Sequence, residues 1–111
     1  MKFKINPGEF RHRIEIQRAV QKQNNDNMLV NTWEKLFDTR AKIINIKGDE
    51  FLQNKGVGIN ISKKFYIRYN RNIKLLESDR ILYNNEFYDI KYIDNIEERN
   101  VYLELNCEVN K

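Results

Sequence analysis

Several short stretches of this chain alternate apolar and polar residues, and this pattern limits the possible folds more than any other feature. The clearest stretch is KKFYIRY (63–69), in which every second side chain is apolar. Successive side chains of a β-strand point to opposite faces, so this segment predicts a strand with one buried face. The segments 11–18 and 101–107 show the same alternation. The sequence therefore predicts a protein built mainly from half-buried strands.

The remaining segments predict further strands and the turns between them. Residues 33–46 alternate and then change phase between Ile43 and Ile44, as a strand with a bulge would. In 80–93, Asn84-Asn85 separates two apolar runs, which indicates a hairpin because asparagine tolerates the positive φ of a tight turn. About six strands result. We expect an all-β fold with a minor helix, arranged as a small antiparallel β-barrel or sandwich.

The length of 111 residues favours one domain over the whole chain, 1–111. Within it we expect a flexible lead over 1–9 and mobile loops at about 19–31 and 48–59, where polar residues or glycines replace the alternation. A short helical turn is predicted for 49–54.

The sequence predicts no catalytic, cofactor-binding or metal-binding set, and hence no enzyme. The single histidine, His12, lies between two arginines on a predicted strand, which makes it a poor general base. Cys107, the only cysteine, alternates with leucines and is predicted to be buried. One cysteine allows no intrachain disulfide, and no segment has the ~20 apolar residues that span a bilayer, so we expect a soluble intracellular protein without a membrane partner.

One strand face is a candidate binding surface. Lys64, Tyr66 and Arg68 alternate with the apolar residues of the same strand and would present basic and aromatic groups together. Such a face suits a protein interface, and it also suits nucleic-acid bases, which small barrels bind by stacking. The net charge of +4 is too small to decide between them. Trp33 is expected in the core, with a subunit interface as the alternative.

The order of these elements resembles the phage head-tail joining family, which includes head-closure or stopper proteins. The resemblance extends from about Gly8 to Cys107. Its first half consists of RHRIEIQ, Trp33, the strand containing Ala41, and Gly48-Asp49-Glu50-Phe51. Its second half consists of KFYIRYNRNI, Asp79-Arg80-Ile81, the hairpin YNNEFYDI and the final LELNC.

The resemblance implies a structural connector of a tailed phage or prophage at the neck of the virion, assembled in the bacterial cytoplasm. Its partners would be further copies of itself in a ring, by resemblance a dodecamer, with the portal and adaptor above and the tail or tail-terminator protein below. Such a ring closes the DNA channel and docks the tail. Contact with the channel DNA is left open. The alternatives are a nucleic-acid-binding small β-barrel and another neck or tail-completion protein.

If the chain is such a connector, the connection between residues 48 and 58 is the predicted channel-facing loop. It is the longest segment between strong strands, and its glycines permit rearrangement. The residues assigned to it are Gly48, Asp49, Glu50, Lys55, Gly56 and Gly58.

Overall fold

The computed structural model describes residues 6–46 and 61–110, and six antiparallel strands in these ranges form a closed barrel. The strands are β1 (His12–Gln23), β2 (Leu29–Asn45), β3 (Lys63–Arg68), β4 (Arg80–Tyr83), β5 (Glu86–Asn95) and β6 (Tyr102–Asn110). They neighbour one another in the order β1-β2-β3-β6-β5-β4, and β4 pairs with β1 to close the barrel. The all-β prediction is confirmed, and the architecture is a barrel.

The barrel core consists mainly of side chains that the alternation places on the inner face, together with Leu75 from the segment between β3 and β4. Tyr69 and Val101, which the alternation also places on that face, are exposed in the structure. The buried members are Ile14, Ile16, Ala41, Phe65, Ile67, Leu75, Ile81, Tyr88, Ile90, Leu103, Leu105 and Cys107. Burying one large aliphatic side chain contributes about 1.5–3 kcal/mol, so this cluster is the main source of stability. The predicted burial of Cys107 is confirmed, with 0% of its surface exposed.

The predicted hairpin turn is present. Tyr83 pairs with Glu86, and the two residues between them, Asn84 and Asn85, have φ of 52° and 64°. Two consecutive positive φ values define the primed turn that matches the twist of a β-hairpin. Asparagine enters this region at a lower steric cost than most residues, so this turn needs no glycine.

The loop predicted for residues 19–31 is much shorter in the structure. Strands β1 and β2 remain paired out to Gln23 and Leu29, so only residues 24–28 connect them. Polar residues can form a ladder here because the pairing uses backbone groups, which do not depend on the side chains. The hairpin therefore extends well beyond the barrel wall.

The bulge in β2 lies elsewhere than predicted. Ile16 pairs with Phe37 and Gln17 with Lys35, which leaves Leu36 as the extra residue. At the predicted position the register with β3 is regular, since Ile43 and Ile44 pair with consecutive residues. The change of phase reflects apolar residues on both faces of β2.

The barrel has two different ends. At one end, here called the loop end, β2 finishes and β3 begins. The backbone N–H of Ile46, just after β2, donates there to the carbonyl of Ser62, just before β3 (3.1 Å). At the other end, here called the arm end, β1 and β2 continue past the last β1–β4 pair at Gln17. This projecting hairpin, residues 18–34, is called the arm. The long axis of 55 Å against 32 and 25 Å agrees with this projection.

The helical segments of the described residues are two 3-10 turns, Pro7–Glu9 and Ile96–Glu98. The first lies within the predicted lead, where the Glu9 N–H donates to the carbonyl of Asn6. The predicted helical turn at 49–54 lies outside the described residues. In the ranges 6–46 and 61–110, no helix has the length and apolar character required to cross a bilayer.

Candidate functional site

The predicted channel loop lies outside the described residues, and its flanks lie at the loop end of the barrel. Ser62 is anchored there, because its N–H donates to the carbonyl of Cys107 (2.8 Å) and its Oγ accepts from the N–H of Val109 (3.0 Å). The roles of Gly48, Asp49, Glu50, Lys55, Gly56 and Gly58 remain predictions.

The predicted basic and aromatic face of β3 does not present its aromatic ring to solvent. Tyr66 is 3% exposed, and its hydroxyl donates to the carboxylate of Glu104 (2.7 Å). Burial and this hydrogen bond raise the pKa of the Tyr66 phenol, which therefore stays a proton donor. Lys64 lies 4.0 Å from the same carboxylate, while Arg68 is exposed.

This arrangement weakens the nucleic-acid alternative. Bases stack on the open face of an aromatic ring, and the ring of Tyr66 is covered. Of the three side chains, Arg68 is exposed and Lys64 is partly exposed beside Glu104. A single exposed cation is a minor electrostatic feature compared with the basic grooves of single-strand binders.

The arm end carries an apolar cleft of about 440 Å³, here called the end pocket. Its apolar lining consists of Phe37, Ile67, Ile73, Leu75, Ile93 and Leu103, and its polar lining consists of Tyr69, Asn70, Arg71, Lys74 and Asn95. The volume lies within the range of roughly 300–1,000 Å³ that is usual for binding pockets. An apolar floor with cations at the rim suits an apolar group that carries a negative charge beside it.

One wall of the end pocket is the segment 69–79, which an ion pair attaches to the base of the arm. Arg18 of β1 binds both carboxylate oxygens of Asp79, at 2.8 and 2.9 Å, and its Nη2 also donates to the carbonyl of Lys74 (2.8 Å). The Asp79 carboxylate also accepts from the N–H of Leu76 (2.8 Å) and has no exposed side-chain surface. The charge and hydrogen bond of Asp79 raise the pKa of Arg18. The arm and the pocket wall therefore form one connected unit.

The tip of the arm is ordered by its own hydrogen bonds and exposes apolar side chains. The side-chain oxygen of Asn24 accepts from the N–H groups of Asp26 and Met28 (2.9 and 3.0 Å), and Asn27 has a φ of 60°. Directly after this turn, Met28 is 61% and Leu29 69% exposed. Val30 is also exposed. Adjacent apolar residues exposed on a projecting hairpin are typical of an interaction site.

Trp33 lies at the base of the arm, which contradicts the prediction that it belongs to the core. It is 39% exposed, and the guanidinium of Arg80 lies 4.0 Å from its ring centroid. The other side of that guanidinium faces Phe87 at 3.7 Å. Burial lowers the pKa of Arg80 from its ordinary value. The stack holds the arm against β4 and β5 through cation–π contacts, which contribute about 0.5–2 kcal/mol each.

His12 lies in β1, as predicted, and is exposed, with its Nδ1 3.1 Å from the hydroxyl of Tyr83. Residues 6–46 and 61–110 contain no cluster of histidine, cysteine and carboxylate side chains that could hold a metal ion. Burial raises the pKa of the Cys107 thiol, which makes this cysteine unreactive.

The residues that build the arm end were largely missed by sequence reasoning. Arg18 and Asp79 are 61 positions apart, and no local pattern connects them. The apolar run of Met28, Leu29 and Val30 does offer a signal, because it follows directly on a polar turn and lacks the strict alternation of a half-buried strand.

Comparison with solved structures shows the same fold in another protein. Protein SF1141 from Shigella flexneri 2a, solved in solution, superimposes with a TM-score of 0.71 at 21% sequence identity. The similarity covers 96% of this chain and 97% of that one. No curated protein matches the sequence. The family model described as phage head completion protein matches residues 5–110, which is nearly the whole length, and the chain therefore belongs to the phage head completion protein family.

Proposed function

We propose that this chain is the head-closure subunit of a tailed phage or prophage. Copies of it form a ring, a dodecamer by resemblance, below the portal and adaptor at the virion neck. The ring closes the DNA channel after packaging and offers a surface to the tail or its terminator protein. The observation that carries the proposal is the match of the head-completion family model to residues 5–110.

The two-ended barrel supports a role between two partners. Among the described residues, the strand edges that remain unpaired after the barrel closes lie mainly on the arm and on β2 before Lys42. Assembly can then use side chains and the projecting arm. The arm and the end pocket lie at one end of the barrel, and the flanks of the connection lie at the other. Two different ends suit a subunit held in a stack of rings.

The connection 48–58 is the proposed channel-facing element. It departs from the end opposite the arm, so one end can serve the channel while the other serves assembly. Lys55 is the residue of this segment that could contact DNA phosphate. The proposal assigns the chain no catalytic step and no cofactor.

Electron microscopy of the chain mixed with its portal-adaptor complex tests this function. The expected result is an additional ring of density below the adaptor, seen only when the chain is present. A portal-adaptor complex that gains no density, at chain concentrations far above that of the complex, would contradict the proposal.

Packaged heads provide a second test, of closure itself. Heads assembled without the chain should lose their DNA to added nuclease, and heads given the purified chain should retain it. A variant lacking residues 48–58 should still join the heads and fail to protect the DNA. If the chain instead adds to isolated tails and not to heads, it is another neck or tail-completion protein.

A further inference from the structure

The tip of the arm and the end pocket have matching chemistry within one chain. The tip exposes Met28 and Leu29, beside the carboxylate of Asp26. The pocket has an apolar floor, and its rim carries Arg71 and Lys74. An apolar group with an adjacent negative charge meets an apolar cleft with adjacent positive charges. Such complementarity fixes orientation and suppresses wrong partners.

The charged groups at both surfaces are available for such a contact. In the described part of the chain, Asp26, Arg71 and Lys74 have no side-chain ion pair, although the arm's own Lys22 and Glu34 pair with each other. All three side chains are exposed. A partner would therefore not need to break an existing contact in order to bind them.

The tip cannot reach the pocket of its own chain. The arm from Gln17 to Asn24 rises by ~3.3 Å per residue, which places the tip roughly 20 Å beyond the barrel. Its base is held rigidly by the Arg18–Asp79 ion pair and by the stack of Arg80 on Trp33. A two-stranded ladder anchored in this way cannot fold back, so the tip can reach only the pocket of another chain.

We propose that the arm tip of each subunit, with Leu29 and Met28 as its apolar anchors, inserts into the end pocket of a second copy of this chain. This rests on the ring assembly proposed above and names the contact that joins neighbouring subunits. The two surfaces differ, so the contact is head-to-tail, and such a contact closes a ring when the rotation between neighbouring subunits divides a full turn. Asp26 lies against Arg71 and Lys74 of the receiving subunit.

Disulfide trapping in the purified chain tests this contact. The variant Leu29→Cys/Lys74→Cys, placed in a glutathione redox buffer at high protein concentration, joins tip to pocket between chains. The native Cys107 is fully buried and does not compete. The expected result is a ladder of covalent oligomers longer than dimers, at roughly tenfold or more the yield of the control pair.

The control is Leu29→Cys/Arg11→Cys, in which the second cysteine lies at the opposite end of the barrel and, like Lys74, replaces an exposed residue. Adding Met28→Asp to the test pair should abolish the ladder, and this exposed tip residue can change without affecting the core. Adding Asp26→Lys should weaken the ladder, and Arg71→Glu in the same chain should restore it. Equal yields from the test and control pairs would overturn the inference.

The trapping experiment and the test of the proposed function can fail independently. The trapping uses no portal, adaptor or DNA, so a ladder can form even if the chain adds no ring to the portal-adaptor complex. Conversely, a ring on that complex without any ladder would show that neighbours meet through another surface. Reciprocal dimers without longer species would also overturn the head-to-tail contact.

Discussion

The ion pair between Arg18 and Asp79 gives the sharpest stability prediction. Changing Arg18→Ala leaves a carboxylate with no exposed surface and only the Leu76 N–H as a hydrogen-bond donor. Breaking a buried ion pair from one side costs about 3–5 kcal/mol. The Arg18 side chain is 30% exposed, so water can enter the space it leaves, and the expected loss is about 2–3 kcal/mol.

Urea unfolding followed by circular dichroism measures this loss. A matched control is Arg13→Ala on the same strand, where the arginine is 75% exposed and lies 3.4 Å from Asp38. That exposed pair should contribute less than about 1 kcal/mol. In a cycle with Asp79→Asn, the two changes should be coupled by about 1–3 kcal/mol, since each removes the same interaction. Equal losses from the two arginine variants would refute the argument that Arg18 attaches the pocket wall.

Three further predictions concern groups in the barrel itself. Burial raises the pKa of Tyr88 from 10.0 to about 12, so this phenol ionises first in the unfolded chain. It leaves the free energy of unfolding unchanged below pH 10 and lowers it by about 2 kcal/mol as the pH rises to 12, and unfolding at a series of pH values should show a shallower decline in Tyr88→Phe. Cys107 should react with a thiol reagent only after unfolding, and labelling of the native chain at neutral pH would contradict its burial. At the hairpin turn, Asn85→Gly should keep the free energy of unfolding within about 1 kcal/mol, whereas Asn85→Val should lower it by about 1–2 kcal/mol, as thermal denaturation can measure.

The strands could be predicted wherever one face is buried, because burial imposes the two-residue period. Phe65 and Ile67, for example, alternate with residues of the outer face and lie in the core. The turn at Asn84-Asn85 could be predicted because positive φ restricts residue choice. Both signals are local, and the sequence displays local constraints directly.

The arm could not be predicted in the same way. Between residues 18 and 34 neither face of the hairpin packs on the core, so no alternation is imposed, and the polar composition alone predicts a loop. The ion pair of Arg18 depends on the closure of β4 onto β1, a long-range contact. Trp33 is exposed because it lies beyond that closure, although a lone tryptophan in a small domain predicts a core position.

The energetics of the proposed tip contact explain how a chain could remain monomeric alone and still form a ring. Burying Met28 and Leu29 in the end pocket would contribute about 3–6 kcal/mol at most. Association costs roughly 4–15 kcal/mol in lost translational and rotational freedom, so one contact cannot hold two chains at low concentration. When a partner complex already binds the subunits side by side, most of this loss of freedom has occurred on binding that partner. The same tip contact then forms because the local concentration of subunits is high. In the proposed role, a ring that forms only on its partner could not close the channel ahead of packaging, and a weak tip contact would enforce this order.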